Sequence, residues 1–448
     1  MKPAIVTFAA SGAETAARLA PLVGADVHHC GYNGEDGKLL LPRLFAEGRP
    51  IVGVCAAGIL IRLLAPSLGD KQSEPPVLAV SQDGTQVVSL LGGHHGANRL
   101  AREIAAHLGG SAALTTASDA KFTRGLDEPP PGYVLADPAA AKPAMMALLI
   151  GGRLVVDGHA PWLAEAGYPV SSAGTVKIRI DEHATRRERE LLYHPRTLVA
   201  GIGAERGVAA DEVIGLIAET LAAHDLAPQA LAALTTIDIK SDEAAFHAAA
   251  AHFAVPLRIF TTAELNQERY RLLNPSPIVE AETGTPGVAE AAALKAGSLL
   301  VEKRKSQRAT CAIGRAKAPI DPLSLGRAPG LLHVVGIGPG DRASRSAAAV
   351  AALDAATDWV GYDLYLDLVA DLRLGQEEHR FPLGDEEARV RHALELAATG
   401  KTVALVCSGD AQIYAMASLV FELIEAVGAR KVSESARRVA VDIHPGIS

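Results

Sequence analysis

The chain is poor in the features that mark secreted and nucleic-acid-binding proteins. Its 448 residues include only four cysteines, none of them in a C-x-x-C pair, and aromatic residues make up 4% of the sequence. This cysteine usage fits a reducing cytoplasm and argues against a structural zinc site. The formal net charge of −8 argues against a nucleic-acid-binding protein, which would carry an excess of basic residues.

Long hydrophobic segments are also missing. The longest apolar run, Ile51 to Ile61, ends at Arg62 and is too short to cross a bilayer. The N-terminal residues include Glu14 and Arg18, where a signal peptide would have its apolar core. We therefore expect a cytoplasmic protein without a signal peptide and without membrane contact.

Short apolar runs alternate with helical patterns, and we predict an α/β protein of several units with parallel sheets and a small β-rich insert. At the N-terminus, Ala4 to Phe8 predicts a strand, and Ser11 with Glu14 predicts a capping box for a helix that ends at Leu22. Asp83-Gly84 separates two further apolar runs and predicts a hairpin turn. Each such unit would present a strand-to-helix turn to a ligand.

Two later stretches repeat the strand-turn-helix pattern. Thr197 to Gly203 predicts a strand that ends in a turn at Gly201-Ile202-Gly203, and Leu331 to Asp341 predicts a buried strand before a helix from Ser344 to Ala355. In the second stretch the third glycine stands one place too early for a dinucleotide fingerprint, which disfavours a nicotinamide dehydrogenase. No Gly-Lys-Ser/Thr follows, which excludes a Walker loop.

Three ordered motifs in the last part of the chain carry a family resemblance. They are Gly336-Ile-Gly-Pro-Gly-Asp341, Gly361-Tyr-Asp-Leu-Tyr365 and Leu405-Val-Cys-Ser-Gly-Asp410-Ala-Gln-Ile-Tyr414-Ala-Met416. Together they resemble the tetrapyrrole methyltransferases, and most of all the precorrin-3B C-17 methyltransferases. The resemblance implies S-adenosylmethionine as cofactor, in a cleft between two α/β halves. The residues that it assigns to the cofactor are Gly338, Pro339, Gly340, Asp341, Ser408, Gly409, Asp410 and Ile413.

The front part of the chain resembles a second family. Its motifs are Cys55-Ala-Ala-Gly58-Ile-Leu-Ile-Arg62, Asp70-Lys71, Gly93-His94 to Asn98, Thr115-Thr-Ala-Ser-Asp119, and further on Thr235-Thr-Ile-Asp238-Ile-Lys240-Ser-Asp-Glu243. These are similar to the cobalt-precorrin-5A hydrolases of vitamin B12 biosynthesis. The resemblance implies that a ring δ-lactone of the substrate is opened and a two-carbon fragment leaves as acetaldehyde.

The two resemblances, with a proline-rich loop and a linker, set the predicted domains. These are a hydrolase-like N-terminal α/β domain (1–126), a small middle domain (127–195), a hydrolase-like C-terminal α/β domain (196–316), a linker (317–330) and the N-terminal half of a tetrapyrrole methyltransferase domain (331–448). In that family a second half completes the cofactor cleft. We therefore expect this chain to bind S-adenosylmethionine weakly, to transfer no methyl group and to expose an apolar face on its last unit.

Two adjacent histidines are the candidates for catalysis. Lactone opening needs a base that activates water and a proton donor for the leaving oxygen, and histidine can serve as either at neutral pH. Neighbouring side chains in an extended turn point in opposite directions, so we expect one of the pair to face the ligand and assign His94 rather than His95. The alternative is that both only cap the following helix or bind the backbone.

Corrin precursors carry many acetate and propionate groups, so their binding site needs basic side chains. We assign substrate binding to Arg62, Lys71, Asn98 and Arg99, with a solvated surface position, or a helix cap for Asn98, as the alternative. The run Lys303-Arg304-Lys305 could bind the same groups or be solvated linker charge. His28-His29-Cys30 has no second pair of ligand residues, and we expect no metal site.

The sequence therefore predicts a cytoplasmic enzyme of cobalamin biosynthesis. In this interpretation an S-adenosylmethionine-dependent precorrin-3B C(17)-methyltransferase is fused to a cobalt-precorrin-5A hydrolase-like region. The alternative is a non-catalytic tetrapyrrole-binding carrier that hands its substrate to the methyltransferase. The expected partner is a precorrin or cobalt-precorrin, with no nucleic acid and no membrane. Whether the substrate contains cobalt and whether the protein is a homodimer stay open.

Overall fold

The computed structural model describes residues 2–31, 34–69, 74–114, 121–412 and 416–447. The chain divides into two compact units. They consist of Met1–Pro131, Leu135–Ile180 and Arg186–Tyr193, and of Gly132–Val134, Asp181–Thr185 and His194–Ser448. Sheets with parallel strands and packed helices occur in both units, so the predicted α/β fold is confirmed. Among the described residues, no helix combines the length and the apolar character needed to span a bilayer.

The first unit opens with a six-stranded sheet. Its elements are β1 Ala4–Thr7, α1 Ala13–Val23, β2 Asp26–His29, α2 Gly37–Ala46, β3 Ile51–Val54, α3 Ala57–Leu64, β4 Val77–Val80, β5 Gln86–Leu91, α4 Ala97–Leu108 and β6 Ser111–Ala113. The strand order is β2-β1-β3-β4-β5-β6, and β5 runs antiparallel to β4. The hairpin predicted at Asp83-Gly84 is therefore confirmed.

Helices cover both faces of this sheet. On one face the apolar side chains of α2 and α3 are buried, including Leu41 and Leu60. On the other face α1 and α4 bury Leu19 and Ile104. Residues of α3 and α4 therefore belong to opposite faces of the sheet, which matters for the predicted substrate contacts.

The first helix begins differently from the prediction. Ala10–Gly12 form a 3-10 turn, and α1 starts after Gly12 without a side-chain cap. The Ser11 hydroxyl donates instead to Gln82 Oε1 at 2.8 Å. The predicted capping box is wrong, because this contact with a distant residue takes the hydroxyl away from the helix end.

The middle part of the chain forms a small four-stranded sheet. Its elements are β7 Tyr133–Leu135, α5 Ala141–Leu149, β8 Leu154–Asp157, α6 Pro161–Glu165, β9 Val176–Ile180 and β10 Glu190–Pro195. The strand order is β7-β10-β9-β8. This sheet is the small β-rich insert that the sequence predicts.

The second unit contains a five-stranded sheet in its first part. The elements are β11 Leu198–Ala204, α7 Ala210–Ala222, β12 Leu231–Ile237, α8 Ala244–His252, β13 Leu257–Phe260, α9 Thr262–Asn266, α10 Pro277–Thr283, α11 Val288–Leu294, β14 Ser298–Lys305 and β15 Ala309–Arg315. The order is β13-β12-β11-β15-β14, with β15 antiparallel to both of its neighbours. The strand order therefore reverses at β11, the position where open α/β sheets bind ligands.

The turn predicted at Gly201-Ile202-Gly203 is wrong, because β11 continues through both glycines. A Cβ at Gly201 would lie 2.0 Å from the carbonyl oxygen of Ala289, and a Cβ at Gly314 would lie 1.8 Å from that of Ala293. Both carbonyls belong to α11, all of whose residues are buried. The glycines therefore allow a helix to lie directly on the sheet, and the sequence pattern of a turn has a packing cause.

The basic run Lys303-Arg304-Lys305 lies on β14 and not in a linker. β14 pairs with β15 as an antiparallel hairpin. The linker interpretation of these charges is wrong, because an edge strand with one face in solvent carries polar residues as readily as a linker does. Alternate residues of the run face opposite sides of the sheet.

The last part of the second unit is a five-stranded parallel sheet. Its elements are β16 Leu331–Gly336, α12 Ala347–Ala355, β17 Asp358–Tyr362, α13 Asp363–Leu368, β18 Glu377–Phe381, α14 Glu386–Ala398, β19 Thr402–Cys407, α15 Met416–Glu425 and β20 Ala440–His444. The strand order is β18-β17-β19-β16-β20. The helix predicted from Ser344 starts later, because the Ser346 hydroxyl caps α12 by accepting from Ala349 N at 3.1 Å.

The two sheets of the second unit meet through a pair of 3-10 turns, Asp238–Lys240 and Ala436–Arg438. The buried carboxylate of Asp238 accepts from Ser435 Oγ at 2.8 Å and from Arg327 NH2 at 2.9 Å. Ser241 Oγ also donates to the carbonyl of Arg438 at 3.1 Å. One buried carboxylate therefore links the linker and both sheets.

Candidate functional site

The predicted catalytic turn follows β5 directly. Gly93–His95 form a 3-10 turn between Gly92 and Gly96, which both have left-handed backbone (φ 68° and 95°). The amide of His95 donates to the carbonyl of Gly92 at 2.8 Å. The assumption of an extended turn is wrong, since successive side chains of a 3-10 turn are about 120° apart and not opposed. The position of the His94 side chain lies outside the described structure.

The predicted substrate residues do not form one surface. Arg62 on α3 is exposed and donates to Gly58 O of its own helix at 3.0 Å. Arg99 on α4 is also exposed and forms an ion pair with Glu103 at 2.7 Å. Because α3 and α4 cover opposite faces of the sheet, these two arginines do not lie on a common face. Lys71 is outside the described residues.

A Cβ at Gly96 would lie 3.6 Å from Arg99 NH2, so Arg99 lies beside the catalytic turn. Asn98 is a second predicted substrate residue beside this turn. Its side chain is buried in the first turn of α4. A Cβ at Gly93 would lie 3.2 Å from Asn98 Nδ2, so the amide packs directly on the backbone of the turn. The residue at the helix N-cap is Gly96 and not Asn98.

The predicted cofactor residues gather at the carboxyl ends of β16 and β19. Gly338 N donates to Gly409 O at 3.2 Å, and Gly409 N donates to Gly338 O at 2.9 Å. A Cβ at Gly336 would lie 2.5 Å from Gly409 O and 2.8 Å from Gly446 N, so only glycine fits there. Ile413 is outside the described residues. Motifs separated by about 70 positions in the sequence thus form one backbone surface.

This backbone surface has room for a ligand. Gly338, Gly340 and Gly409 have φ values of 64°, 104° and 64°. Among the described residues, no heavy atom outside the adjoining positions lies within 4 Å of a Cβ placed at Gly409, and the side chains of Pro339 and Ser408 are exposed. At Gly340 a Cβ would lie 2.6 Å from Leu368 Cδ1, so the open approach to the main chain is at Gly409. This opening fits a nucleoside cofactor at the carboxyl edge of a parallel sheet.

The two aspartates of these motifs are used within their own turns. Asp341 Oδ1 accepts from the amides of Ala343 and Ser344 at 3.0 and 3.1 Å. The Ser344 hydroxyl and these amides lower the pKa of Asp341. Asp410 Oδ1 accepts from Gln412 N at 2.8 Å. Both carboxylates therefore shape the glycine turns that would contact a cofactor.

Within the described residues, two clusters offer ligand atoms of the kind that metals bind, namely His333/Asp442/His444 and Asp358/Glu377/His379. In the first, His444 Nε2 lies 3.0 Å from His333 Nδ1, and burial together with His444 lowers the pKa of His333. In the second, the buried carboxylate of Asp358 binds Lys401 Nζ at 2.7 Å and His379 Nε2 at 3.0 Å. In both clusters these side chains already bind each other or a neighbouring lysine, and we assign no metal to either.

A basic cavity lies where β11, β12 and β14 end, and it includes two lysines of the run for which the sequence left carboxylate binding open. Its volume is about 530 Å³, and its lining includes Lys240, Lys303 and Lys305. The alternation of Lys303 and Lys305 along a strand could have indicated a shared face. Their proximity to Lys240 depends on the fold and has no counterpart in the sequence.

Three families match consecutive parts of the chain. Residues 40–119 match the family described as Cobalamin synthesis G N-terminal, and residues 198–314 match Cobalamin synthesis G C-terminus. Residues 331–448 match Tetrapyrrole (Corrin/Porphyrin) Methylases. The fold and these matches define an α/β protein of cobalamin synthesis that carries a tetrapyrrole methylase domain.

Individual relatives agree with this arrangement. A cobalt-precorrin-5A hydrolase of Priestia megaterium is 29% identical over 304 residues, 62% of this chain and 81% of the relative. Protein CobE of Sinorhizobium sp is 45% identical over 120 residues, 26% of this chain and 78% of the relative. A probable cobalt-factor III C(17)-methyltransferase of Salmonella typhimurium is 44% identical over 94 residues, 21% of this chain and only 39% of the relative.

The chain belongs to the family of protein CobE. It joins a cobalt-precorrin-5A hydrolase-like region to a tetrapyrrole methyltransferase domain, so the predicted fusion and the assignment to cobalamin biosynthesis are confirmed.

Proposed function

We propose that this protein processes a precorrin or cobalt-precorrin in the cytoplasm, with lactone opening and acetaldehyde release as the reaction of its hydrolase-like region. The observation that carries the proposal is the match over 304 residues to a cobalt-precorrin-5A hydrolase, which covers 81% of that relative. The glycine turn around His94 supports it, because the left-handed backbone of Gly92 and Gly96 suits glycine and the turn between them brings two histidines to the start of α4.

The assignment of His94 rests on the family resemblance, since the geometry of a 3-10 turn does not separate it from His95. An imidazole at this turn would activate water or protonate the leaving oxygen, both of which need a pKa close to neutral pH. Asn98, buried against Gly93, would fix the backbone that carries the two histidines. Asn98 is thus a positioning residue in this proposal.

For the methyltransferase domain we propose S-adenosylmethionine as the cofactor, bound weakly by this chain, and carbon 17 of the corrin precursor as the position that the two-half methyltransferase fold would methylate. The residues that would hold the cofactor are the backbone of Gly338, Gly340 and Gly409, with Pro339 and Ser408 at the edge. S-adenosylmethionine supplies an electrophilic methyl group when bound. The reciprocal hydrogen bonds between Gly338 and Gly409 would keep the two sides of this surface in register.

Acetaldehyde release tests the hydrolase proposal. The purified chain is incubated with cobalt-precorrin-5A, and acetaldehyde and the corrin product are quantified by mass spectrometry. We expect His94→Ala to abolish release and His95→Ala to reduce it less. His107→Ala, an exposed histidine in the last turn of α4, is the matched control and should leave release unchanged. Full release by both the His94 and the His95 variant would contradict the catalytic role of this turn.

A non-catalytic carrier is the second candidate function, and the basic cavity of the second unit favours it. That cavity is built from residues within 198–314, the part that matches Cobalamin synthesis G C-terminus, and contains no residue of the glycine turn. A carrier would bind the corrin precursor and return it with unchanged mass. The same mass spectra therefore distinguish the two functions.

A further inference from the structure

The basic cavity lies at the carboxyl edge of the sheet in residues 198–315. It is lined by the ends of β11 and β12, by α10 and by the β14–β15 hairpin, and it encloses about 530 Å³. This volume is typical of small-molecule sites, and the place where strand order reverses is where open α/β sheets bind ligands. Both facts point to a ligand at this edge.

Positive charge dominates the lining. Five basic side chains contribute to it, namely Arg206, Lys240, Lys303, Lys305 and Arg308. The two carboxylates of the lining are Glu205 and Glu282, and Glu205 already pairs with Arg308 at 3.0 Å. The cavity therefore holds more cationic groups than it can neutralise.

The five cations differ in their partners. Arg206 forms an ion pair with Asp242 at 2.7 Å, and Arg308 donates to the carbonyl of Arg206 at 2.7 Å. Lys303 Nζ donates to the carbonyl of Asn274. Within the described parts of the chain, the ammonium groups of Lys240 and Lys305 have no hydrogen-bond acceptor and no ion-pair partner. These two groups are free to bind an anion.

The surroundings of Lys240 and Lys303 disfavour the charged form of their side chains. Burial and the nearby Arg206 guanidinium lower the pKa of Lys240, against the opposite effect of the neighbouring carboxylates of Glu243, Asp242 and Glu282. Burial and the Lys305 ammonium lower the pKa of Lys303. Partly buried like charges repel, and a bound anion would relieve this repulsion.

The uncharged part of the lining is mixed: Ser276, Ser306, Gln307 and Thr310 are polar, and the other side chains are apolar. Ile237, Val279 and Val288 contribute side chains, and Ile278 on α10 is 74% exposed at the rim. An apolar surface beside a row of cations suits a flat hydrophobic body with carboxylates at its periphery. A free phosphate or a small dicarboxylate would leave the apolar part of the lining uncovered.

We propose that this cavity binds a tetrapyrrole through its peripheral carboxylates, with Lys240 and Lys305 as the groups that pair with them. The identity of the ligand rests on the proposed function, whereas the existence of an anion site rests on the geometry of the cavity. The cavity assigns a substrate-binding role to residues 198–314, which match Cobalamin synthesis G C-terminus, and to Lys305 of the run for which the sequence left carboxylate binding open.

Binding of uroporphyrin tests the proposal, because its macrocycle carries an acetate and a propionate on each ring. The full chain is titrated and porphyrin fluorescence is recorded, with the uncharged octamethyl ester as the ligand control. We expect Lys240→Gln and Lys305→Gln each to raise Kd by about tenfold or more, as charge-assisted hydrogen bonds are lost. The ester should bind at least about tenfold more weakly than the acid.

Arg304→Gln is the matched protein control, because Arg304 lies on the same strand between Lys303 and Lys305 and does not line the cavity. It removes the same charge and should change Kd by less than about twofold. Equal Kd values for the unmodified chain and both lysine variants would overturn the proposal. So would an equal loss in all three variants, since that would show only the effect of net charge.

Acetaldehyde release is measured on the same variants. If the unmodified chain releases none while uroporphyrin binding depends on Lys240 and Lys305, the cavity is supported and the hydrolase function fails. If release occurs and the lysine variants bind uroporphyrin normally, the hydrolase function is supported and the cavity proposal fails.

Discussion

Replacing Glu290 with glutamine should destabilise the sheet domain of residues 198–315 by about 3 kcal/mol. Glu290 on α11 is 1% exposed. Its Oε2 accepts from the amides of Leu273 and Asn274, both at 2.9 Å. Its Oε1 accepts from Asn274 Nδ2 at 2.8 Å and from Lys303 N at 3.0 Å. One carboxylate thus joins α11, the loop before α10 and β14.

The magnitude follows from the geometry of the amide. Glutamine has the same shape but turns one acceptor oxygen into a donor, so two N–H groups on that side lose their partner. A buried unpaired donor costs about 1–3 kcal/mol, which gives about 2–6 kcal/mol before relaxation. We expect local movement to recover part of this cost, hence the value of about 3 kcal/mol.

The effect should also depend on pH. Burial raises the pKa of Glu290, but the hydrogen bonds from Asn274, Lys303 and Leu273 outweigh burial, so that the pKa lies below its ordinary value of 4.5. A carboxyl with a lowered folded-state pKa contributes its full stabilisation above the unfolded-state pKa and loses it as pH falls through the folded-state pKa. The difference between the two proteins should therefore shrink below pH 4.5.

Hydrogen exchange is the suitable assay, because both tryptophans, Trp162 and Trp359, lie outside residues 198–315. Mass spectrometry of peptides from β14 and from residues 272–275 should show exchange about 100-fold faster in Glu290→Gln, which corresponds to about 3 kcal/mol. Glu219→Gln, at an exposed position on α7 of the same domain, is the matched control and should change exchange little. Exchange in Glu290→Gln within about threefold of that in the control would refute the reasoning.

Three further changes have expected outcomes. Gly314→Ala places a Cβ 1.8 Å from a carbonyl of α11 and should lower the free energy of unfolding, measured by hydrogen exchange, by about 2–3 kcal/mol. Gly215→Ala, whose Cβ would have no atom within 4 Å among the described residues, should be neutral or stabilising. Asp358→Asn should lower the free energy of unfolding by about 2 kcal/mol, because it breaks the ion pair of a buried carboxylate with Lys401, and the 40% exposure of the lysine keeps the loss moderate. Urea unfolding followed by Trp359 fluorescence measures this, and an unchanged midpoint would contradict it. Gly336→Ala should weaken S-adenosylmethionine binding at least tenfold in calorimetric titration, and equal affinity to Gly215→Ala would exclude the proposed cofactor surface.

Much of the fold could be predicted because buried parallel strands are continuous apolar runs. β1 Ala4–Thr7, predicted as Ala4 to Phe8, is such a run, and all of its residues are buried. The hairpin of β14 and β15 could not be predicted from its basic residues, because an edge strand with one face in solvent does not have a continuous apolar sequence. Ser11 shows a second limit: a hydroxyl that fits a helix cap can bind a distant residue instead.

One of the candidate sites could be located from the sequence, and another could not. The glycine motifs around Gly338 and Gly409 could be located by resemblance, and the fold joins them by main-chain hydrogen bonds. The basic cavity could not, because Arg206, Lys240 and Lys305 are spread over about 100 positions and meet only through the reversal of strand order at β11. Single lysines in a sequence carry no information about which distant cation is their neighbour.

The 3-10 turn Asp238–Lys240 belongs to two structures at once. Lys240 at its end lines the basic cavity, while Asp238 at its start accepts hydrogen bonds from Ser435 and Arg327. A ligand whose binding depends on the conformation of this turn must therefore alter the free energy with which the methyltransferase sheet docks on its neighbour. Thermodynamic reciprocity then requires that docking changes the affinity for that ligand by the same factor. A corrin precursor bound at Lys240 would therefore change how strongly the methyltransferase sheet docks, through one three-residue turn.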